Sequence, residues 1–118
     1  MTQQRSVEQR LNDILEAINR ARVADKRLKL TQSLADEVGL QIAFQAILHN
    51  LTVIGDSVHA IPGDVLARNP ETPWRQIEAM REVTVHNYRV IDTAAVHRIV
   101  ESDLDLLESA VRRLQAAR

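Results

Sequence analysis

Residues 34–60, LADEVGLQIAFQAILHNLTVIGDSVHA, form the longest helix-competent stretch of the chain. Leu34 and Val38 start one apolar line at helical spacing, and Phe44, Ile47, Leu48, Leu51, Ile54 and Val58 continue it. Ile42, Ala46 and Val53 form a second line beside the first. A helix with two apolar lines is buried on two sides, here by the rest of its own chain and by a partner subunit. The spacing predicts this helix from Thr31 or Ser33 to about Ala60. Gly39 and Gly55 each cost about 1 kcal/mol against alanine inside a helix. Gly55 therefore reads as a close helix crossing, and Gly39 as a kink. His49 and His59 lie on different faces, which is poor metal-ligand geometry, so both read as solvent or interface histidines.

Outward from that helix the pattern stays helical. The chain has 118 residues with only three Gly and three Pro, and no stretch alternates like a strand. Ser6 is an N-cap with Gln9 as its capping-box partner, and Val7, Leu11, Ile14, Leu15, Ile18 and Ala21 follow as one apolar face. Asp25–Lys29, DKRLK, reads as a charged connector. Pro62-Gly63 ends the long helix, and residues 64–69 can make one short turn. Thr72 is placed to cap a third helix, with Pro73 in its first turn and Trp74, Ile77, Met80 and Thr84 facing inward. A last helix starts at Asp92 or Thr93, with a stripe of Val96, Ile99, Val100, Leu104, Leu107, Ala110, Val111 and Leu114. These helices, joined by short connections, predict an all-α antiparallel bundle of four or five helices in one domain, 1–118.

Composition bounds the function. Net charge is −1, so the chain is no general polyanion binder, and any RNA contact must come from a local cluster. There are no cysteines, which excludes disulfides and thiolate metal sites. The polar start and the lack of a bilayer-length apolar run predict a soluble, cytoplasmic protein without a membrane partner.

The chemistry concentrates in residues 73–92, PWRQIEAMREVTVHNYRVID, which hold the only Trp and the only Tyr. Arg81 and His86 would point about 140° apart on a continuous helix. They converge only if the helix loosens near His86, or if a second copy of the segment faces the first. A histidine moves protons near neutral pH, and an arginine holds a phosphate by two parallel hydrogen bonds. Together they suit cleavage of RNA by its own 2′-hydroxyl, a reaction that needs no metal or other cofactor. The same two residues could equally be polar groups on the rim of a bundle. Trp74 reads as a core anchor rather than a base-stacking platform. Arg75 and Arg89 flank the segment as phosphate contacts or surface ion-pair partners.

The segment resembles the R-x4-H-x-Y motif of the HEPN superfamily, specifically the HepT-like toxins of HEPN/MNT toxin–antitoxin pairs. RLNDILEAI, NLTVIGDSV, PETPWRQIEAMR and YRVID are similar to the family in order, so the resemblance covers nearly the whole chain. It implies a homodimeric HEPN bundle whose two motifs line one RNA cleft. By position, Arg81 and His86 would carry metal-independent ribonuclease activity. The implied partner is an MNT-type nucleotidyltransferase antitoxin that neutralises the toxin by adding AMP to Tyr88. A bulky anionic nucleotide there would fill the cleft meant for RNA phosphate. The chain departs from the family at Glu82, where Asn or another small polar residue is common. That carboxylate could pair with Arg81 and weaken cleavage, leaving a docking module for the nucleotidyltransferase as the alternative. A third reading has Arg81 and His86 gripping ATP for the transferase. Asn87 lets the helix end beside His86, and Asp56, where the family often shows Glu, is a candidate for orienting the cleft.

Overall fold

A computed structural model describes residues 5–82 and 93–117. All regular structure among them is helical. α1 spans Val7–Ser33, α2 Glu37–Ala60, α3 Gly63–Leu66 and α4 Trp74–Glu78, which passes into a 3-10 turn at Ala79–Glu82. After the undescribed residues come α5, Thr93–Arg98, a wide π-helical turn at Ile99–Asp103, and α6, Leu104–Ala116.

α1 begins as its sequence predicts. Gln9 N donates to Ser6 Oγ (3.1 Å) and Ser6 N donates to Gln9 Oε1 (2.7 Å), closing the capping box. Leu11, Ile14, Ile18 and Ala21 are fully buried. Residues 25–29 are not a connector, because the apolar face continues through them: Ala24, Asp25 and Leu28 are all buried. Asp25 can be buried because His97 on α5 meets its carboxylate (Nδ1–Oδ2, 2.6 Å). His97 Nε2 also contacts Lys29 Nζ (3.1 Å) and the Glu101 carboxylate, tying the C-terminal helices to α1.

The helix boundary therefore falls at 34–36, later than the sequence pattern places it. Ala35 N donates to Gln32 O (3.1 Å) and Asp36 N to Thr31 O (2.9 Å), the paired bonds of a Schellman cap. Ala35 takes φ 55°, the left-handed conformation that glycine normally supplies at this position. The absence of that glycine hid the boundary. Asp36 then caps α2 by accepting from Gly39 N (3.0 Å). A Cβ on Gly39 would lie 2.4 Å from Asp36 Oδ2, so this glycine makes room for the cap and marks no kink.

The tight turn makes α1 and α2 an antiparallel hairpin, and their facing side chains form most of the core. Ile47, Leu51, Ile54 and Val58 of α2 are buried in it. By length and composition α2 could cross a membrane, with mean hydropathy 1.4 over its best window; here those side chains pack on α1. Leu34, Val38 and Ile42, at the N-terminal end of the two apolar lines, are 63–68% exposed. Within the described residues the chain's own core covers only part of the apolar surface of α2.

α6 closes the core with Leu104, Leu107, Val111 and Leu114. The expected single last helix is interrupted where Leu104 N bonds Ile99 O, an i to i+5 turn that coincides with the His97–Glu101 contact. The apolar stripe runs unbroken across it, so periodicity cannot reveal it. Arg22 links α1 to α6 by Nη1 to Glu108 (3.0 Å) and Nη2 to Asp105 (2.9 Å). The Arg22 guanidinium bonded to Glu108, with Arg112 beside it, holds the Glu108 carboxyl below its ordinary range.

Two predictions concern this frame. Ala35→Gly removes the left-handed strain, offset in part by a looser unfolded chain, and is expected to stabilise by about 0.5–1 kcal/mol. Thermal unfolding reads this as a rise of about 2–5 °C in Tm. Because the folded pKa of Glu108 is depressed, its contribution is present above the unfolded value of about 4.3 and is lost as pH falls below it. Glu108→Gln should therefore flatten the loss of stability between about pH 5 and pH 3 in urea titrations.

Candidate functional site

Gly55 positions the site. A Cβ at Gly55 would lie 2.2 Å from Arg81 N, 2.9 Å from Arg81 Cα and 2.9 Å from Glu78 O. The backbone of the Ala79–Glu82 turn thus rests directly on α2, as the close crossing inferred from the sequence requires. Ile54 and Val58 bury the α2 side of this contact, and Ile77 of α4 is buried beside them. Trp74 and Met80 pack against the core from partly buried positions. The Trp74 indole donates Nε1–H to Asn69 O (3.0 Å), so it anchors α4 as expected. Thr72 does not cap α4, since its hydroxyl bonds the buried Asn69 amide instead (2.8 Å).

Two ion pairs flank the crossing. Asp56 Oδ1 lies 3.4 Å from Arg81 Nε, and His59 Nδ1 lies 2.6 Å from Glu78 Oε1. Asp56 engages the Nε edge of the guanidinium. An arginine guanidinium can grip two oxygens of one phosphate through two parallel N–H bonds. Among the described residues the carboxylate paired with Arg81 is Asp56 and not Glu82. Neighbours in a helical turn do not face one another. Glu82 and Arg75 are exposed. α-Helical winding gives way to the 3-10 turn at Ala79, earlier than the loosening expected near His86. His86, Asn87, Tyr88 and Arg89, and Thr84, which the sequence pattern expects to face inward, lie outside the described residues.

The His59–Glu78 pair was not legible in the sequence, where His59 reads as a solvent or interface residue. The spacing held the signal only once the crossing was known: His59 follows Gly55 by one helical turn, and Glu78 precedes Arg81 by about one turn. On the other side of α4, Ile77 and Met80 line a cavity of about 520 Å³ against Leu104 and Leu107 of α6. No group of three or more His, Asp or Glu side chains with metal-binding geometry occurs among the described residues.

The fold and this crossing define an all-α bundle of HEPN type with an arginine presented from the turn after α4. A family model described as "Ribonuclease HepT-like" matches residues 14–114, and the chain belongs to that family. A protein named a probable ribonuclease HepT, from Thermococcus cleftensis, is 29% identical over 111 residues, covering 94% of this chain and 97% of the relative. A Methanocaldococcus jannaschii protein provisionally named an RNase is 26% identical, over 91% of this chain and 94% of its own length. A relative from Caldanaerobacter subterraneus, named in the same provisional way, is 23% identical over 70% of this chain and 73% of its own. No solved structure gives a significant match.

Gly55→Ala tests the crossing. The Cβ meets backbone, which cannot swing aside, so the variant is expected to lose about 1–3 kcal/mol. Asp56→Ala leaves the crossing intact and removes one exposed ion pair, costing about 0–1 kcal/mol. Denaturant midpoints of both variants against wild type check this order.

Proposed function

We propose that this chain is a metal-independent endoribonuclease, the toxin of a toxin–antitoxin pair, acting in the cytoplasm as a homodimer with a composite RNA cleft. The observation that carries the reading is Arg81, presented on the Gly55 crossing in a chain of the HepT-like ribonuclease family. Arg81 would hold the scissile phosphate and stabilise its added negative charge. The 2′-oxygen attacks phosphorus and the P–O5′ bond breaks. His86 and its symmetry mate would take the 2′-hydroxyl proton and supply one to the 5′-oxygen. The exposed Leu34, Val38 and Ile42 support a partner subunit against the uncovered part of α2.

The partner in this reading is an MNT-type nucleotidyltransferase that adds AMP to Tyr88, placing a bulky anion where RNA phosphate should sit. Arg75 and Arg89 would add phosphate contacts along the cleft. The pairing of Arg81 with Asp56 weakens the case that Glu82 silences the site. Asp56 takes the part of an orienting group for the guanidinium.

The test is RNA cleavage in EDTA by protein whose intact mass shows no AMP on Tyr88. Wild type should cut, and His86→Ala or Arg81→Ala should lower the rate by about 10²-fold or more. Glu82→Asn should stay within a few-fold of wild type. If unmodified wild type cuts no tRNA, mRNA or ribosomal RNA, the docking module takes the place of this reading. A Glu82→Asn variant that gains activity would show that Glu82 blocks the site.

A further inference from the structure

The Gly55 crossing brings a second histidine to the same surface as Arg81. Asp56 and His59 stand one turn apart on α2, and Glu78 and Arg81 about one turn apart on α4 and its 3-10 turn. Each α2 residue pairs with one residue across the crossing, Asp56 with Arg81 and His59 with Glu78. Side chains one turn apart on a helix are neighbours, so the His59–Glu78 pair and the Asp56–Arg81 pair stand side by side on this face.

The geometry of the pair fits proton transfer. An ionised carboxylate only accepts hydrogen bonds, so Glu78 fixes the imidazole tautomer with hydrogen on Nδ1. Nε2 then carries the lone pair. His59 is 53% exposed and Glu78 39%, so the ring is open to a substrate lying on the crossing. We propose that His59, held by Glu78, is a second proton-transfer residue of the RNA cleft. This rests on the ribonuclease reading above and deepens it.

In this step His59 Nε2, in place of one of the two His86 copies, takes the proton from the 2′-hydroxyl as the 2′-oxygen bonds to phosphorus. The P–O5′ bond breaks, and the 5′-oxygen receives its proton from His86. The products are a 2′,3′-cyclic phosphate and a 5′-hydroxyl, and the Glu78 carboxylate stabilises the imidazolium that forms. Arg81 holds the phosphate, and Asp56 orients Arg81. The charged groups beside His59 on α2, α4 and its 3-10 turn are Asp56, Arg75, Glu78, Arg81 and Glu82, of which Asp56, Glu78 and Arg81 are engaged in the two pairs.

A surface ion pair of purely structural use would leave the chemistry untouched, which gives the test. Cleavage of an RNA oligonucleotide by the full chain, with Tyr88 unmodified, is followed from pH 5 to pH 9. Wild type, His59→Ala, His59→Gln, Glu78→Gln and Arg81→Ala are compared, with Tm measured for each. His59→Ala and His59→Gln should fold and cut about 10²-fold more slowly, losing the acidic limb of the pH–rate profile. Free imidazole should restore part of the His59→Ala rate. Glu78→Gln should cut about tenfold more slowly. A 5′-bridging sulfur, a leaving group that needs no proton, should rescue His86→Ala and leave His59→Ala slow. If His59→Gln cuts within twofold of wild type with an unchanged acidic limb while Arg81→Ala is inactive, this inference is overturned and the ribonuclease reading stands. If unmodified wild type does not cut, both fall.

Discussion

Two backbones touch where the Ala79–Glu82 turn lies on α2, and the contact exists only because residue 55 has no side chain. A methyl group there would sit 2.2 Å from a backbone nitrogen, so any other residue pushes the turn off the helix. Every described part of the site follows from this approach. It puts Arg81 within ion-pair reach of Asp56, and His59 against Glu78. It also turns Ile77 and Met80 toward α6. The two ion pairs are exposed and contribute little energy of their own. Burial of Ile54, Val58 and Ile77 drives the crossing, and the ion pairs select its polar register.

The rest of the molecule keeps that crossing rigid. The α1–α2 hairpin, closed by the Schellman turn at Ala35, provides a platform of fully buried aliphatic side chains. α6 seals the hairpin on one side, with Arg22 bridging to Asp105 and Glu108. The buried Asp25 and its partner His97 fasten the start of the C-terminal helices to α1. These contacts lie on the bundle itself, while Arg81, Glu82, Asp56 and His59 are exposed at the crossing. The buried core contacts and the exposed candidate site therefore rest on different residues.

Membership in the HepT-like ribonuclease family and the position of Arg81 point the same way. The family match spans residues 14–114 and reflects the whole pattern of the bundle. The position of Arg81 comes from one local contact. Among the described residues the partner of the Arg81 guanidinium is Asp56 on α2, not its chain neighbour Glu82.

The sequence by itself determined the helical class, the start of α1 at Ser6 and the stripe of α6, and it marked Gly55 as a place where another backbone comes close. Each of these is a local property: a capping hydroxyl, an apolar period, a glycine where a helix former belongs. It misplaced the end of α1, because Ala35 bears a left-handed conformation without announcing it and Asp25 looks like surface until His97 arrives from the far end of the chain. It missed the wide turn at Ile99–Asp103, whose apolar period does not change. The sequence named Asp56 as a candidate without a partner and set His59 aside as surface. Their pairing with Arg81 and Glu78 depends on two helical segments about 20 residues apart meeting at a single glycine. Tertiary structure alone decides that meeting, because no period within either segment encodes which faces will touch.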